Sequence, residues 1–330
     1  MITTDKVQAP PARSTLSGRQ FLRTYSLALM LVVVTALFTA IQPAFIQPEN
    51  VIGILYQVSL IGTMAVCSTF VIITGGIDLS VGPVVALAGL AAVFTLRDNG
   101  QILVPALFAG ILIGMICGTL NGIAVSAFRL PAIVVTLATL SIYRGAALLI
   151  GGSVIHQVRG PESFLYIGSG RVAGFIPFPI FIFAGVTLVM YFIQTRTRFG
   201  LNVFATGENA EAARLCGLPV TRTRLLVYLI SGLGAAIGGI MLSSQVSTGS
   251  ATYGNGIELD VIAAIVLGGT SLRGGSGSVS RTVIGALLIG EINNGLSMLN
   301  VSIEQQLIAK GLIIVLAIAL SDRLSRWANR

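Results

Sequence analysis

The side chains able to do chemistry are few in this sequence, and their spacing suits none of the common reactions. Twelve acids, one histidine and three cysteines are spread over 330 residues. His156 stands alone, with no Ser/His/Asp or Cys/His constellation around it, so nucleophilic catalysis is disfavoured. Cys67, Cys117 and Cys216 lack metal-ligand spacing, and two of them lie inside apolar runs, where cysteine behaves as a small hydrophobe. A phosphate-cradling loop needs G-x-x-x-x-G-K-[ST], and neither lysine, Lys6 or Lys310, has that context. The glycine-rich tract 268–277 therefore reads as a tight turn between helices. No cofactor and no metal is expected in this chain.

What remains is a set of polar groups isolated within very apolar sequence. Hydrophobic residues make up 54% and charged residues only 10%, and the mean hydropathy is +0.91. An ordinary soluble domain is about a quarter charged. This balance excludes a soluble enzyme, a disordered chain and a nucleic-acid-binding domain, and leaves the bilayer as solvent.

Ionisable and amide groups at membrane depth are costly, so each is a functional candidate. Asp78 follows Gly75 and Gly76 at a break between apolar runs. Its carboxylate, or the Ser80 hydroxyl, either caps the next helix or serves coupling or gating. Glu291 and Asn294 are three residues apart and share a helix face, with Lys310 a conceivable ion-pair partner for Glu291. Asn121, one turn from Gly118, either lines a polar path or makes a structural hydrogen bond. A path for an uncharged polyol would use amides, hydroxyls and aromatics, and Asn121, Asn293, Asn294, Ser243, Ser244, Gln245 and Tyr143 are available. Arg144 is expected to snorkel outward. Glu258 and Asp260 open a late apolar run on the external side, either to meet an incoming binding protein or to cap a helix.

These groups must be held by membrane spans. At about 20 residues per crossing, the sequence offers ten: 26–42, 51–73, 80–96, 102–126, 131–150, 174–194, 225–247, 258–272, 280–299 and 305–320. The expected fold is an all-α polytopic transmembrane bundle, 26–320, between cytoplasmic tails at 1–25 and 321–330. With the N-terminus inside, the cytoplasmic segments hold Lys6, Arg13, Arg19, Arg23, Arg129, Arg196, Arg198, Arg214, Arg222, Arg224, Arg273, Arg281, Arg323, Arg326 and Arg330. The external side receives only Arg97, Arg159 and Arg171. That asymmetry puts both termini in the cytoplasm and accounts for the net charge of +8 without nucleic acid.

Two glycine stripes, Gly110-Gly114-Gly118-Gly122 and Gly234-Gly238, predict close helix packing. The longest cytoplasmic loop, 195–224, contains Gly207-Glu208-Asn209-Ala210-Glu211-Ala212-Ala213-Arg214-Leu215-Cys216-Gly217. Gly207 and Gly217 bracket a short helix whose acids sit in the first turn and whose Ala and Leu face a partner. A weak echo links 74–82 with 267–275, both glycine-rich breaks between spans, as transporters often carry near their pathway.

Glu211-Ala212-Ala213-x-x-x-Gly217 resembles the EAA loop of ATP-binding-cassette importer permeases. The wider run to Ser231-Gly232 resembles permease subunits of the ribose-type monosaccharide importers. So do Ile73-Thr74-Gly75-Gly76-Ile77-Asp78-Leu79-Ser80-Val81-Gly82, Leu130-Pro131-Ala132-Ile133-Val134-Val135-Thr136-Leu137 and the tract from Gly268-Gly269-Thr270 to Gly277. The resemblance implies that Glu208, Glu211, Ala212, Ala213 and Gly217 form a coupling surface for a cytoplasmic ATP-binding-cassette ATPase. It implies an external or periplasmic solute-binding protein, a second permease copy (identical or homologous) and the inner membrane of a bacterium. Three rivals stay open: a branched-chain amino acid permease, an ion-coupled secondary transporter relying on Glu291, and a scaffold without transport.

Overall fold

The computed structural model describes residues 18–98, 100–158, 161–302, 304–309 and 311–312, and nearly all of their regular structure is helical. In chain order the helices are α1 Gly18–Ile41, α2 Pro48–Ile73, α3 Val81–Asp98, α4 Leu103–Ser126, α5 Ala132–Gly151, α6 Glu162–Ser169, α7 Phe178–Arg196, α8 Arg198–Glu208, α9 Ala210–Leu215, α10 Val220–Gln245, α11 Ile257–Leu267 and α12 Val279–Met298, with further helical residues at 304–309. Four two-residue strands form two small antiparallel pairs, His156–Gln157 with Thr248–Gly249 and Arg171–Val172 with Ile176–Pro177.

Six helices, α2, α3, α4, α5, α7 and α10, are long and apolar enough to cross a membrane. Of the ten expected spans, these six have the required length and composition among the described residues. Of the others, 26–42 and 280–299 coincide with α1 and α12. The eighth expected span is a half-length helix: α11 has 11 residues, about 16 Å against a hydrocarbon core of about 30 Å. The tenth expected span falls mostly outside the described residues, as do Lys310, Arg159, the tail before residue 18 and the tail at 321–330. The Glu291–Lys310 pair therefore has no structural account.

The pillar of the bundle is α10, against which α4, α2 and α3 pack. The first glycine stripe makes this possible. A methyl group on Gly114 would collide with the Gly232 carbonyl, and one on Gly118 with the Tyr228 carbonyl. The two backbones thus touch directly, which small side chains alone permit. Gly234 and Gly238 meet Cys67 and Met64 of α2, so the second stripe seats another neighbour. The predicted close packing is present, and its partners are α10 for the first stripe and α2 for the second.

Candidate functional site

The loop at 195–224 folds as two helices with a kink between them. Thr197 caps α8, its Oγ1 accepting from the Gly200 amide at 3.2 Å. Asn209 caps α9, its Oδ1 accepting from the amides of Glu211 at 3.0 Å and Ala212 at 2.9 Å. The expected helix bounded by Gly207 and Gly217 therefore starts at Asn209, and Gly207 and Glu208 belong to the end of α8. Only Glu211 lies in the first turn of α9. The far end closes where Gly217 adopts a φ of 78° and Leu218 N–H returns to the Ala213 carbonyl at 3.0 Å.

α9 stands out from the bundle. Glu208, Glu211, Ala212, Arg214 and Gly217 are exposed, and Leu215 at the tip is 82% exposed. Ala213 points the other way, is buried, and roots the helix. Arg214 bridges Glu211 at 2.6 Å, but both groups are exposed, so the pair adds little stability. Leu215 is the leucine expected from the sequence to face a partner. Its signal is an apolar residue among charges on a short polar helix.

Behind α9, the end of α8 rests on both glycine-rich breaks at once. A methyl on Gly207 would overlap the Ile73 carbonyl at the end of α2 and meet the Gly275 amide. Gly275 N–H donates to Ile73 O at 2.9 Å, and Gly75 packs on the Arg273 carbonyl. A methyl on Gly275 would strike the Glu208 carboxylate. The echo between 74–82 and 267–275 is therefore a contact in space: both breaks meet beneath the α8–α9 kink.

The first break leads directly to Asp78. Its Oδ1 accepts from Ser80 N–H at 3.0 Å and Ser80 Oγ at 2.7 Å, and its Oδ2 accepts from Ser231 Oγ of α10 at 2.8 Å. Ser68 of α2 joins Ser231 at 2.9 Å. Asn121 Nδ2 of α4 donates to Ser80 Oγ at 2.8 Å, and Tyr143 OH of α5 donates to the Cys117 carbonyl at 3.0 Å and Asn121 Oδ1 at 3.3 Å. Thr136 Oγ1 reaches the Ile77 carbonyl at 3.0 Å. Asp78 and Asn121 are both buried. The carboxylate holds the amide and hydroxyl of Ser80 just ahead of α3 and the Ser231 hydroxyl of α10, and the bonds of Ser68, Asn121, Tyr143 and Thr136 extend that junction to α2, α4 and α5.

The candidates on α12 lie elsewhere. Glu291 Oε1 accepts from Thr35 Oγ1 of α1 at 2.9 Å, and Asn294 exchanges two 3.0 Å hydrogen bonds with Asn50 of α2. Glu291 Oε2 and Asn293 Oδ1 are buried without a partner. Asp78 with Asn121 and Glu291 with Asn293 and Asn294 are thus two separate groups. Among the other polar candidates, Ser244 Oγ donates to the Phe164 carbonyl at 2.5 Å, fixing α6 to α10.

One expectation is corrected at α5. Arg144 does not snorkel: its guanidinium donates to the carbonyls of Ala251 and, at 2.9 Å, Tyr253. Glu258 lies in the first turn of α11, in keeping with the helix-capping alternative, and Gly82 at the start of α3 is pressed against its carboxylate. An arginine with unpaired carbonyls within reach gains more from them than from stretching to an interface.

Residues 50–318 match the family model described as branched-chain amino acid transport system / permease component. The ribose import permease protein RbsC of Escherichia coli strain K12 is 37% identical over 94% of this chain and 98% of its own length. RbsC of Bacillus subtilis strain 168 is 36% identical, over 90% and 92%. The L-arabinose ABC transporter permease protein AraH of Azospirillum brasilense is 35% identical, over 97% and 93%. No solved structure matches the chain.

Proposed function

The chain belongs to the branched-chain amino acid transport system / permease component family, and from that premise we propose that it is the membrane-spanning permease of an ATP-driven importer for a monosaccharide of ribose or arabinose size. Relatives named for ribose and L-arabinose, alike along nearly their whole length, support the sugar reading. ATP hydrolysis belongs to a separate ATPase subunit, docked on the face where α9 protrudes. The distribution of arginines supports placing that face in the cytoplasm and both termini with it, in a bacterial inner membrane. A solute-binding protein would deliver sugar to the opposite face, and a second permease copy would complete the path.

The observation that carries this reading is the seat of α9. An exposed helix tipped by Leu215 is joined to α8, whose end bears on both glycine-rich breaks. Glu208, Glu211, Ala212 and Gly217 form the coupling surface, with Ala213 as its root. Closure of two ATPases would push α9, and the breaks would pass that displacement to the Asp78 junction and its four helices. Packed elements of this kind move as units, since close-packed interiors do not deform continuously.

The test is reconstitution with a candidate ATPase and binding protein. ATP-dependent uptake should be competed by pentoses and not by leucine. Competition by leucine alone would transfer the chain to the amino acid branch of its family. Uptake that survives ATP depletion and collapses with an ion gradient would refute the ATP-driven reading. Glu211→Lys should abolish ATPase association while the bundle remains inserted, and normal transport in that variant would refute the role of α9.

A further inference from the structure

Between α10 and α11, residues 246–256 are a two-residue strand and successive turns, not a helix. This segment does not stay at the membrane surface. It runs down α3: a methyl on Gly249 would touch Val93 at 3.1 Å, whereas Gly254 lies against the Gly82 carbonyl and, at 3.1 Å, Val85. The 26-residue α10 measures the depth. Val85 touches α10 at Gly239 and Asp78 touches it at Ser231, six and fourteen residues from Gln245, or about 9 and about 21 Å. Gly82 and Gly254 lie between those levels, well inside a hydrocarbon core about 30 Å thick.

Backbone that is not helical is tolerated at that depth only where protein buries it or water bathes it, because lipid cannot satisfy its amides and carbonyls. Here Thr252 and Asn255 are exposed, and Tyr253 is partly so. Arg144 satisfies two of the carbonyls from α5. Ser141, one turn before it, is exposed on the same helix. Glu258 lies within electrostatic reach of Arg144 and keeps one carboxylate oxygen without a hydrogen-bond partner. Glu258 also feels the Asp260 charge, and the side chains this segment leaves exposed are the uncharged hydroxyl of Thr252 and amide of Asn255.

We propose that residues 250–258, facing Arg144 of α5, form a water-lined wall of the solute path at mid-membrane. Thr252 and Asn255 bind hydroxyl groups of a neutral polyol there. Arg144 is the positioning residue that holds the segment open by its carbonyls. The polyol assignment rests on the transport reading above; the water-lined wall rests on backbone geometry alone.

The test uses the complete importer in membranes, with Cys216→Ser to remove the exposed native thiol and Cys67 and Cys117 left buried. Thr252→Cys and Asn255→Cys should each react with a charged, membrane-impermeant methanethiosulfonate, and permeant pentose should slow the reaction severalfold. Leu188→Cys, from a residue 69% exposed on α7, should react only with a lipid-soluble maleimide. Asn255→Ala should raise KM for uptake about three- to tenfold, the worth of a hydrogen bond or two, with ATPase association unchanged. If positions 252 and 255 behave like 188, or are shielded from both reagents by a second copy, the wall is refuted while ATP-dependent uptake stands. Aqueous labelling in an importer that carries no sugar instead refutes the transport reading, and the polyol assignment with it.

Discussion

Asp78 is held by hydroxyls and an amide N–H with no cation in contact, so its integrity depends on each donor. Ser231→Ala removes the donor to Oδ2 and leaves a buried carboxylate oxygen unsatisfied. The expected cost is about 1–3 kcal/mol, read as a lowered thermal midpoint of the purified protein, while Ser231→Thr should retain most of the stability. On the surface, Asn209→Ala deletes the cap of α9 at about 1 kcal/mol. Because α9 is only six residues long, the loss should appear as weaker ATPase binding with little change in the stability of the bundle. At this scale the sequence marks Asp78 and Asn121 as costly groups in apolar surroundings. It offers Tyr143 only as one of several groups for a polar path and gives Ser231 no such role, because serine and tyrosine are common in spans and their partners are distant along the chain.

Among the elements, the α4–α10 pair depends on bare backbone at the contact. Gly118→Leu drives a side chain into the Tyr228 carbonyl and the Leu229 backbone. Such overpacking costs about 1–3 kcal/mol or forces the helices apart, and either result should lower yield and thermal stability in detergent. Gly185→Ala in α7 is the matched control. Nothing lies within 4 Å of the added methyl, and helix propensity favours alanine by about 1 kcal/mol, so stability should hold or rise slightly. The stripe itself is legible as a period of four, since glycine is a poor helix former and four in register demand a reason. Its partner is not legible, because any helix with small residues would serve. For the same reason α11 reads as a full span: residues 258–272 are apolar, and composition cannot distinguish a half helix leading into a turn from a complete crossing.

For the whole molecule, orientation is the property most open to test. Cys216 lies exposed beside α9, whereas Cys67 and Cys117 are buried. A membrane-impermeant thiol reagent should therefore label the native protein in inside-out vesicles and spare it in right-side-out cells. The reverse pattern would put α9 outside and remove any contact with a cytoplasmic ATPase. An unbroken line of contacts runs from α9 through the end of α8 to the two breaks and on to the Asp78 junction.

Composition alone settled the solvent, because a chain so poor in charge cannot expose its surface to water. Residue spacing settled the glycine-stripe packing, and the motif order pointed to the permease family. Only the tertiary structure decided that two glycine-rich breaks, nearly two hundred residues apart, meet under one helix. It alone decided that residues 246–256 run along α3 as non-helical backbone and that Arg144 turns to meet their carbonyls. The physical reason is common to these cases. Burial and periodicity are properties of a single segment, whereas a hydrogen bond between distant segments exists only once the backbone has brought donor and acceptor together.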